Sequence, residues 1–306
     1  MTFYGGVDAG GTKFLCAIGR SPTEIERTVS IPTTSPAETL GAVADFFGDW
    51  LQEGRPLSGI GVSSFGPIDR DPASPDHGRL GNTPKPGWAN VDMAGHLGRL
   101  AVPIRVDTDV NGAALAEGRW GAAKNHRHFA YVTVGTGIGV GVVSEGRLVN
   151  GSGHPELGHY RPPRHPADGF AGACPFHRDC LEGLVAGPGI AGRTGRRAAD
   201  LADGDPVWDV IAHYLAHLCG VLVLAFAPER IVLGGGLMRR AALLPAIRRE
   251  AAEQLGGYVS TLSDQSAFDR LIAPSALDDD APSGVNAGVL GGFLLAQASI
   301  PPEAEP

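Results

Sequence analysis

Two copies of one α/β plan, set as two halves with a cleft between them, are the fold class this sequence predicts. Three observations predict it. A run of short strand, Gly/Thr loop, strand, turn and strand begins near residue 5 and recurs from residue 129, about 125 residues apart loop to loop. Each copy leads into helical patterns and further strands, as a layered α/β fold requires. Glycine and proline supply 45 and 24 of the 306 residues without a collagen-like period, while 43% of residues are hydrophobic. That combination suits a globular chain with many tight loops rather than a low-complexity one.

The first copy reads as strands at Gly5–Asp8, Lys13–Gly19 and Glu26–Pro32, separated by glycine-rich and Ser-Pro turns. Ser35-Pro36-Ala37-Glu38 then signals a helix start: a capping serine, proline in the first turn and glutamate completing a capping box. Leu40, Val43, Ala44, Phe47 and Leu51 follow at helical spacing. Ser58–Phe65 and Ala101–Val106 read as buried strands, and a helix is expected from Asp109 through Trp120. The second copy opens with a strand at Phe129–Val134, the loop Gly135-Thr136-Gly137-Ile138-Gly139, a strand at Val140–Val143, a Ser144-Glu145-Gly146 turn and a strand at Arg147–Asn150. Beyond it come a helix at Pro206–Phe226, a strand at Arg230–Leu233, Gly234-Gly235-Gly236, one helix from Leu237 to Leu255, and a small-residue helix at Gly284–Ala298. Pro301–Pro306 is expected to be disordered.

Other classes are set aside on charge and patterning. A net charge of −8 and a pI near 5.7 argue against a nucleic-acid surface. The apolar run from Tyr214 to Pro228 is short and interrupted by His217, which argues against a membrane span. MTFYGGVDAGG carries no secretory signal, and four cysteines do not make a disulfide scaffold. The expectation is a cytoplasmic protein with no nucleic-acid or membrane partner.

Three loops share one logic, an apolar strand running into glycines: Asp8-Ala9-Gly10-Gly11-Thr12-Lys13, Gly135-Thr136-Gly137 and Gly234-Gly235-Gly236-Leu237. Glycine lets backbone N–H groups approach a polyanion, and threonine adds a hydroxyl donor. A tight hairpin explains any one such loop equally well; two threonine-bearing loops at the same point of a repeat favour phosphate binding. The P-loop pattern is absent, and Gly-x-Gly-x-x-Gly does not follow the first strand. Asp8, closing its strand beside such a cradle, suits Mg²⁺ held through water, or else an Asx turn.

Asp-x-Gly-Gly-Thr-Lys at residues 8–13, the second Gly-Thr-Gly-x-Gly and the late Gly-Gly-Gly resemble the nucleotide-binding parts of the ROK sugar kinases, over roughly residues 5–298. The resemblance implies an actin/hexokinase-like (ribonuclease H-like) two-domain fold with an interdomain cleft. It implies a small α/β domain at 1–112, a larger one with a zinc loop at 113–284, and a helix near 285–298 packed back on the first. ATP would then be held by Asp8, Gly10, Gly11, Thr12, Lys13, Gly135, Thr136, Gly137, Gly187, Gly234, Gly235, Gly236 and Leu237.

Thr108-Asp109-Val110-Asn111-Gly112 resembles the family's segment carrying the catalytic base. Phosphorylating a sugar hydroxyl needs a carboxylate within hydrogen-bond reach of it. By residue type alone Asp109 also suits a helix N-cap, and Asp107 is its local rival; the resemblance selects Asp109. Family members that prefer glucose usually carry asparagine where Thr108 stands. His154-Pro155-Glu156-Leu157-Gly158-His159 resembles the sugar motif, with proline in place of the usual glycine, and Glu182 matches a further sugar-binding acid. Taken singly, each glutamate also reads as a solvated surface charge.

Cys174-x-x-His177-x-x-Cys180, with His159 as a fourth ligand, suits a closed tetrahedral Zn²⁺ site. Buried free thiols or a short disulfide are the alternatives. Cys16 and Cys219 sit in apolar runs as core residues. Ser63–Asp69, which holds Gly66 and Pro67, together with Thr83–Trp88 and Glu182–Pro188, resembles ROK-type fructokinases. Trp88 suits sugar stacking or packing alike. The resemblance therefore implies an ATP- and Mg²⁺-dependent hexose kinase, foremost a fructokinase, with Asp109 as base, structural zinc and a homodimeric assembly. Glucokinase, mannokinase or N-acetylhexosamine kinase activity is the alternative. A sugar-responsive repressor ranks last, since residue 8 already begins the phosphate loop and leaves no room ahead of it for a helix-turn-helix.

Overall fold

The computed structural model describes residues 2–83, 85–277 and 284–298; the tail expected to be disordered lies outside them. The chain divides into two units. The first comprises residues 1–120, 152–154 and the segment from Leu277 onward; the second comprises 121–151 and 155–276. The boundary expected at 112/113 falls at 120/121 because the helix beginning at Asp109 packs wholly within the first unit.

In the first unit, β1 (Phe3–Ala9), β2 (Lys13–Ser21) and β3 (Glu24–Pro32) form an antiparallel meander. Helix α1 (Pro36–Gln52) follows, with the capping box present: Glu38 N–H donates to Ser35 Oγ while the Glu38 carboxylate accepts from Ser35. Its Leu40, Val43, Ala44, Phe47 and Trp50 are buried against the sheet. Strand β4 (Leu57–Ser64), helix α2 (Met93–Gly98), strand β5 (Ile104–Thr108) and helix α3 (Asp109–Trp120) complete the run. β5 starts three residues later than expected, because Ala101 takes the left-handed conformation (φ 55) that ends the α2 segment. The strand order is β3-β2-β1-β4-β5, with β4 and β5 parallel to β1.

The second unit repeats this topology. β6 (Phe129–Val134), β7 (Ile138–Ser144) and β8 (Arg147–Leu148) form the meander. Glu145 and Gly146, both at positive φ, make the turn type that matches strand twist. Helices α4 (Leu181–Val185), α5 (Gly187–Thr194) and α6 (Val207–Phe226) precede β9 (Arg230–Gly234). Then come α7 (Leu243–Leu255), α8 (Gln265–Leu271) and β10 (Ile272–Pro274), giving the order β10-β9-β6-β7-β8. With β6 taken as the first strand, order and direction equal those of the first unit. The predicted duplication is present strand for strand.

Two expectations need correction. The single helix from Leu237 to Leu255 is a 3₁₀ turn at Gly236–Arg239 and then α7. Arg240 breaks it. Its guanidinium is drawn to the carbonyls of Ala198 and Leu201, to Asp203 and onto the Trp208 ring, 4.0 Å from the centroid. Tertiary partners override a run of good helix formers there. The second correction concerns α6, which with 20 residues is long and apolar enough to cross a membrane. Run length therefore does not decide its role; burial does, since Ile211, Leu215, Leu218 and Leu222 lie in the core of the second unit.

The last described helix, α9 (Ala287–Ala298), joins the first unit. It lies on β1, β4 and α3 through glycine against glycine: a Cβ on Gly292 would come within 2.6 Å of Gly61 O and 2.8 Å of Gly6 Cα. Only bare backbones fit at that distance.

In the second unit, Asp168 anchors the loop between β8 and α4. Its side chain is 2% exposed, accepts from Arg193 at 3.0 Å and Tyr214 Oη at 2.7 Å, and also accepts from Phe170 N–H. Burial opposes the charge, but these donors outweigh it and hold the pKa at about 2 instead of 3.8. A depressed carboxylate pKa stabilises the fold fully above its unfolded value, and that share is lost as pH falls through about 2. Asp168→Asn is expected to cost about 3 kcal/mol at neutral pH, and to flatten the acid limb of stability between the ordinary value of 3.8 and about 2. Urea titrations at a series of pH values measure both.

Candidate active site

In the first unit the end of β5 and the start of α3 carry three candidate polar residues in a row, and the structure gives each a different task. Asp107 is buried; its Oδ1 accepts from Thr108 N–H and from Asn111 Nδ2, both at 2.7 Å, and its Oδ2 lies 4.0 Å from Arg70. Thr108 is the helix cap, its Oγ1 accepting from Asn111 N–H at 3.2 Å. Asp109 is therefore relieved of capping. It stands in the first helical turn, half-buried, with Oδ1 accepting the neighbouring Val110 N–H at 2.8 Å. Of the two aspartates, Asp107 is buried and braces the backbone, and Asp109 is half-buried in the first turn of α3.

Asp8 lies at the end of β1, where Asn286 Nδ2 donates to its Oδ2 at 2.7 Å. Beside it, Gly10 N–H donates to Lys13 O at 3.1 Å and Thr33 Oγ1 to Gly10 O at 2.8 Å, leaving Gly11, Thr12 and Lys13 exposed. Lys85 Nζ donates to Gly11 O. Asn286 and Lys85 were not singled out by sequence reading. Asn286 is legible only as the cap of α9, whose Val289 N–H it also accepts at 3.1 Å. Its bond to Asp8 spans 278 residues.

Gly66-Pro67 and Thr83 gather in the same unit. Gly81 N–H donates to Pro67 O at 2.8 Å, Thr83 N–H donates to Gly81 O at 3.0 Å, and a Cβ on Gly66 would lie 3.3 Å from His154 Nε2. Trp88 packs. It is fully buried between Phe14 and Phe65, and its indole N–H donates to Thr34 O at 3.0 Å, which removes the stacking alternative.

In the second unit the structure brings Gly135, Gly187 and Gly236 together. Gly187 N–H donates to Gly135 O at 2.8 Å, and a Cβ on Gly135 would lie 4.0 Å from Gly236 N. Thr136 is exposed, and Gly236 has open space where a side chain would be. Gly234 and Gly235 must be glycine: a Cβ on the first would meet Tyr131 Oη at 2.6 Å, and the second combines φ 89 with Val134 O at 2.6 Å. Leu237 turns its side chain into the core and so offers only backbone.

His159, Cys174, His177 and Cys180 form a cluster whose ligand atoms all lie within 4.8 Å of one another. His159 Nδ1 is 3.5 Å from Cys180 Sγ and 3.8 Å from Cys174 Sγ; His177 Nδ1 is 3.8 Å from Cys174 Sγ. A tetrahedral ion with bonds of ordinary zinc length places its ligands about 3.3–3.8 Å apart, so the donor set fits. All four cysteines of the chain are free, which removes the disulfide alternative. Burial, above all, pushes the Cys180 thiol up to about 11. The other face of the His159 ring, Nε2, lies 3.9 Å from Glu182 Oε1. Glu156 is exposed, and its carbonyl accepts His159 N–H at 3.0 Å.

The ROK family model matches residues 4–299. A protein of Pediococcus pentosaceus named fructokinase is 44% identical over 297 residues, covering 97% of this chain and 98% of its own. One of Zymomonas mobilis subsp. mobilis, also named fructokinase, is 41% identical over 97% of both chains. Among solved structures, the ROK hexokinase of Thermus thermophilus superposes with a TM-score of 0.76 at 26% identity, over 97% of this chain and 99% of its own. The repeated five-stranded sheets are thus the actin/hexokinase-like fold, and the chain belongs to the ROK family.

Proposed function

We propose that this protein is an ATP-dependent fructokinase, transferring the γ-phosphoryl group of ATP to the 6-hydroxyl of D-fructose and releasing D-fructose 6-phosphate and ADP. The observation that carries the kinase chemistry is the placement of Asp109 in the first turn of α3, next to the Thr108 cap and the buried Asp107 that braces the turn. Two relatives matched over nearly their whole lengths and named fructokinase support the sugar.

Asp109 accepts the proton of the attacking hydroxyl as the phosphoryl group arrives. The N–H groups and hydroxyls of Gly10–Thr12 and Gly135–Gly137 hold phosphate oxygens, while Gly187 and Gly234–Leu237 offer backbone to the rest of the nucleotide. Lys13 and Lys85 add positive charge near the first loop. Asp8, steadied by Asn286, would order Mg²⁺ through water, and that ion neutralises the triphosphate when bound. Gly66, Pro67, Thr83, Thr108, Glu156, His159 and Glu182 serve the sugar. Zn²⁺ would be structural in this reading: His159, Cys174, His177 and Cys180 would hold it, and a bond to His159 would fix the direction of that ring. From the family resemblance alone the reading also takes a cytoplasmic homodimer, which light scattering would check for assembly.

The deciding measurement is ADP release, coupled to a reporter enzyme, across fructose, glucose, mannose and N-acetylglucosamine. Fructose is expected to give the highest kcat/KM. Glucose ahead of fructose would overturn the substrate assignment, and no sugar-dependent ADP release would overturn the kinase.

A further inference from the structure

Helix α4 is only five residues long, yet both of its ends are fastened to one loop. Near its start, Glu182 Oε2 accepts from Ile138 N–H at 3.0 Å, and a Cβ on Gly137 would come within 2.8 Å of the same oxygen. Just past its end, Gly187 N–H donates to Gly135 O at 2.8 Å. The loop closes on itself between these points, Gly135 N–H donating to Gly137 O at 3.0 Å. The three residues between β6 and β7 are thereby held at both ends by one short helix.

The same helix begins at the Cys/His cluster. Cys180 is its N-cap residue, and Leu181 N–H donates to Tyr160 O at 2.8 Å, next to His159. The Glu182 oxygen not engaged by Ile138 faces His159 Nε2 at 3.9 Å, while His159 Nδ1 faces the two thiols. An ion bonded to Nδ1 would leave the ring proton on Nε2, pointing at a carboxylate, which is the usual way an outer carboxylate is aligned by a metal-bound histidine.

We infer that Glu182 is a positioning residue for the nucleotide loop, and that α4 links the state of the Cys/His cluster to nucleotide affinity before any sugar is present. The inference rests on the kinase reading above, but it assigns Glu182 a task that a sugar ligand would not have. A carboxylate serving the sugar alone would leave nucleotide binding in the sugar-free protein unchanged. One that shapes Gly135–Ile138 would not.

The test is calorimetric titration of the full-length, sugar-free protein with Mg²⁺ and a non-hydrolysable ATP analogue. Glu182→Ala is expected to raise the Kd about tenfold or more, the range for a hydrogen bond to a charged group. Glu182→Gln, which keeps an acceptor for Ile138 N–H, is expected to recover most of that loss. Gly137→Ala is expected to weaken binding in the wild-type background and to cost much less beside Glu182→Ala, because the oxygen its Cβ meets is then gone. Stripping the bound ion with a chelator is expected to raise the analogue Kd, and returning zinc to restore it. A Glu182→Ala protein with the wild-type Kd, strictly additive effects at 137 and 182, or a stripped protein with unchanged Kd would each overturn the proposal. Failure of the wild type to bind the analogue would instead overturn the nucleotide reading of the loop, and this proposal with it.

Discussion

Asp109→Asn is expected to lower kcat about 10²–10⁴-fold, with the KM for fructose changed little. The variant isolates the proton transfer. Asparagine presents the same Oδ1 to Val110 N–H, the α3 cap is Thr108 and not residue 109, and Asp107 still braces the turn. The melting temperature should therefore stay near that of the wild type, so that the loss can be read as chemistry. Asp107→Asn is the contrasting variant. Removing the charge from a buried carboxylate that holds Thr108 and Asn111 should lower the melting temperature along with turnover, because the backbone carrying the base loses its brace. The coupled assay and a thermal melt on both proteins decide the matter; near wild-type turnover in Asp109→Asn would remove Asp109 as the base.

Loss of the cluster ion is expected to be the second large effect. Cys180→Ser, or exhaustive chelation, should lower kcat/KM for fructose about 10–100-fold. His159, the cluster member that faces Glu182, would lose the partner that aligns its ring. Elemental analysis of freshly purified protein should find about one zinc per chain, and Cys180→Ser should lose it. Cys16 and Cys219 supply the control. Both are fully buried in the core, burial pushes both thiols up, and neither belongs to the cluster. Serine at either position should lower stability and leave the zinc content unchanged. Wild-type protein free of zinc would end this account of the cluster.

What was legible in the sequence was local or periodic. The capping box at Ser35–Glu38, the strands flanking each glycine loop and the repeat itself follow from spacing, and the structure has them. What escaped depends on partners far along the chain. The break before α7 is made by Arg240 reaching residues some 40 positions earlier, against a sequence that locally favours helix. α4 and α5 are too short to show a period, and their neighbours dictate them. The candidate site divides the same way. Asp8, Asp109, the glycine loops and the Cys/His cluster announce themselves by motif. Asn286 on Asp8 and the clasp of Glu182 on Ile138 are tertiary facts about residues whose types alone suit many roles, while the Thr108 cap is local but falls where Asp109 suits the same role by type. α8 is the exception, since Asp264 before Gln265-Ser266-Ala267 is a readable cap whose Oδ1 accepts Ala267 N–H at 2.9 Å.

The seating of α9 on bare glycines has a consequence for how the chain is made. β1 and β4 are translated early, but the helix that covers them comes after the whole second unit in sequence. Until residues 287–298 leave the ribosome, the face that Gly6 and Gly61 offer to Gly292 stays open to water or to other chains. The first unit can therefore collapse early yet become watertight only late, and synthesis stalled between residues 120 and 287 would leave a nascent chain that calls for a chaperone.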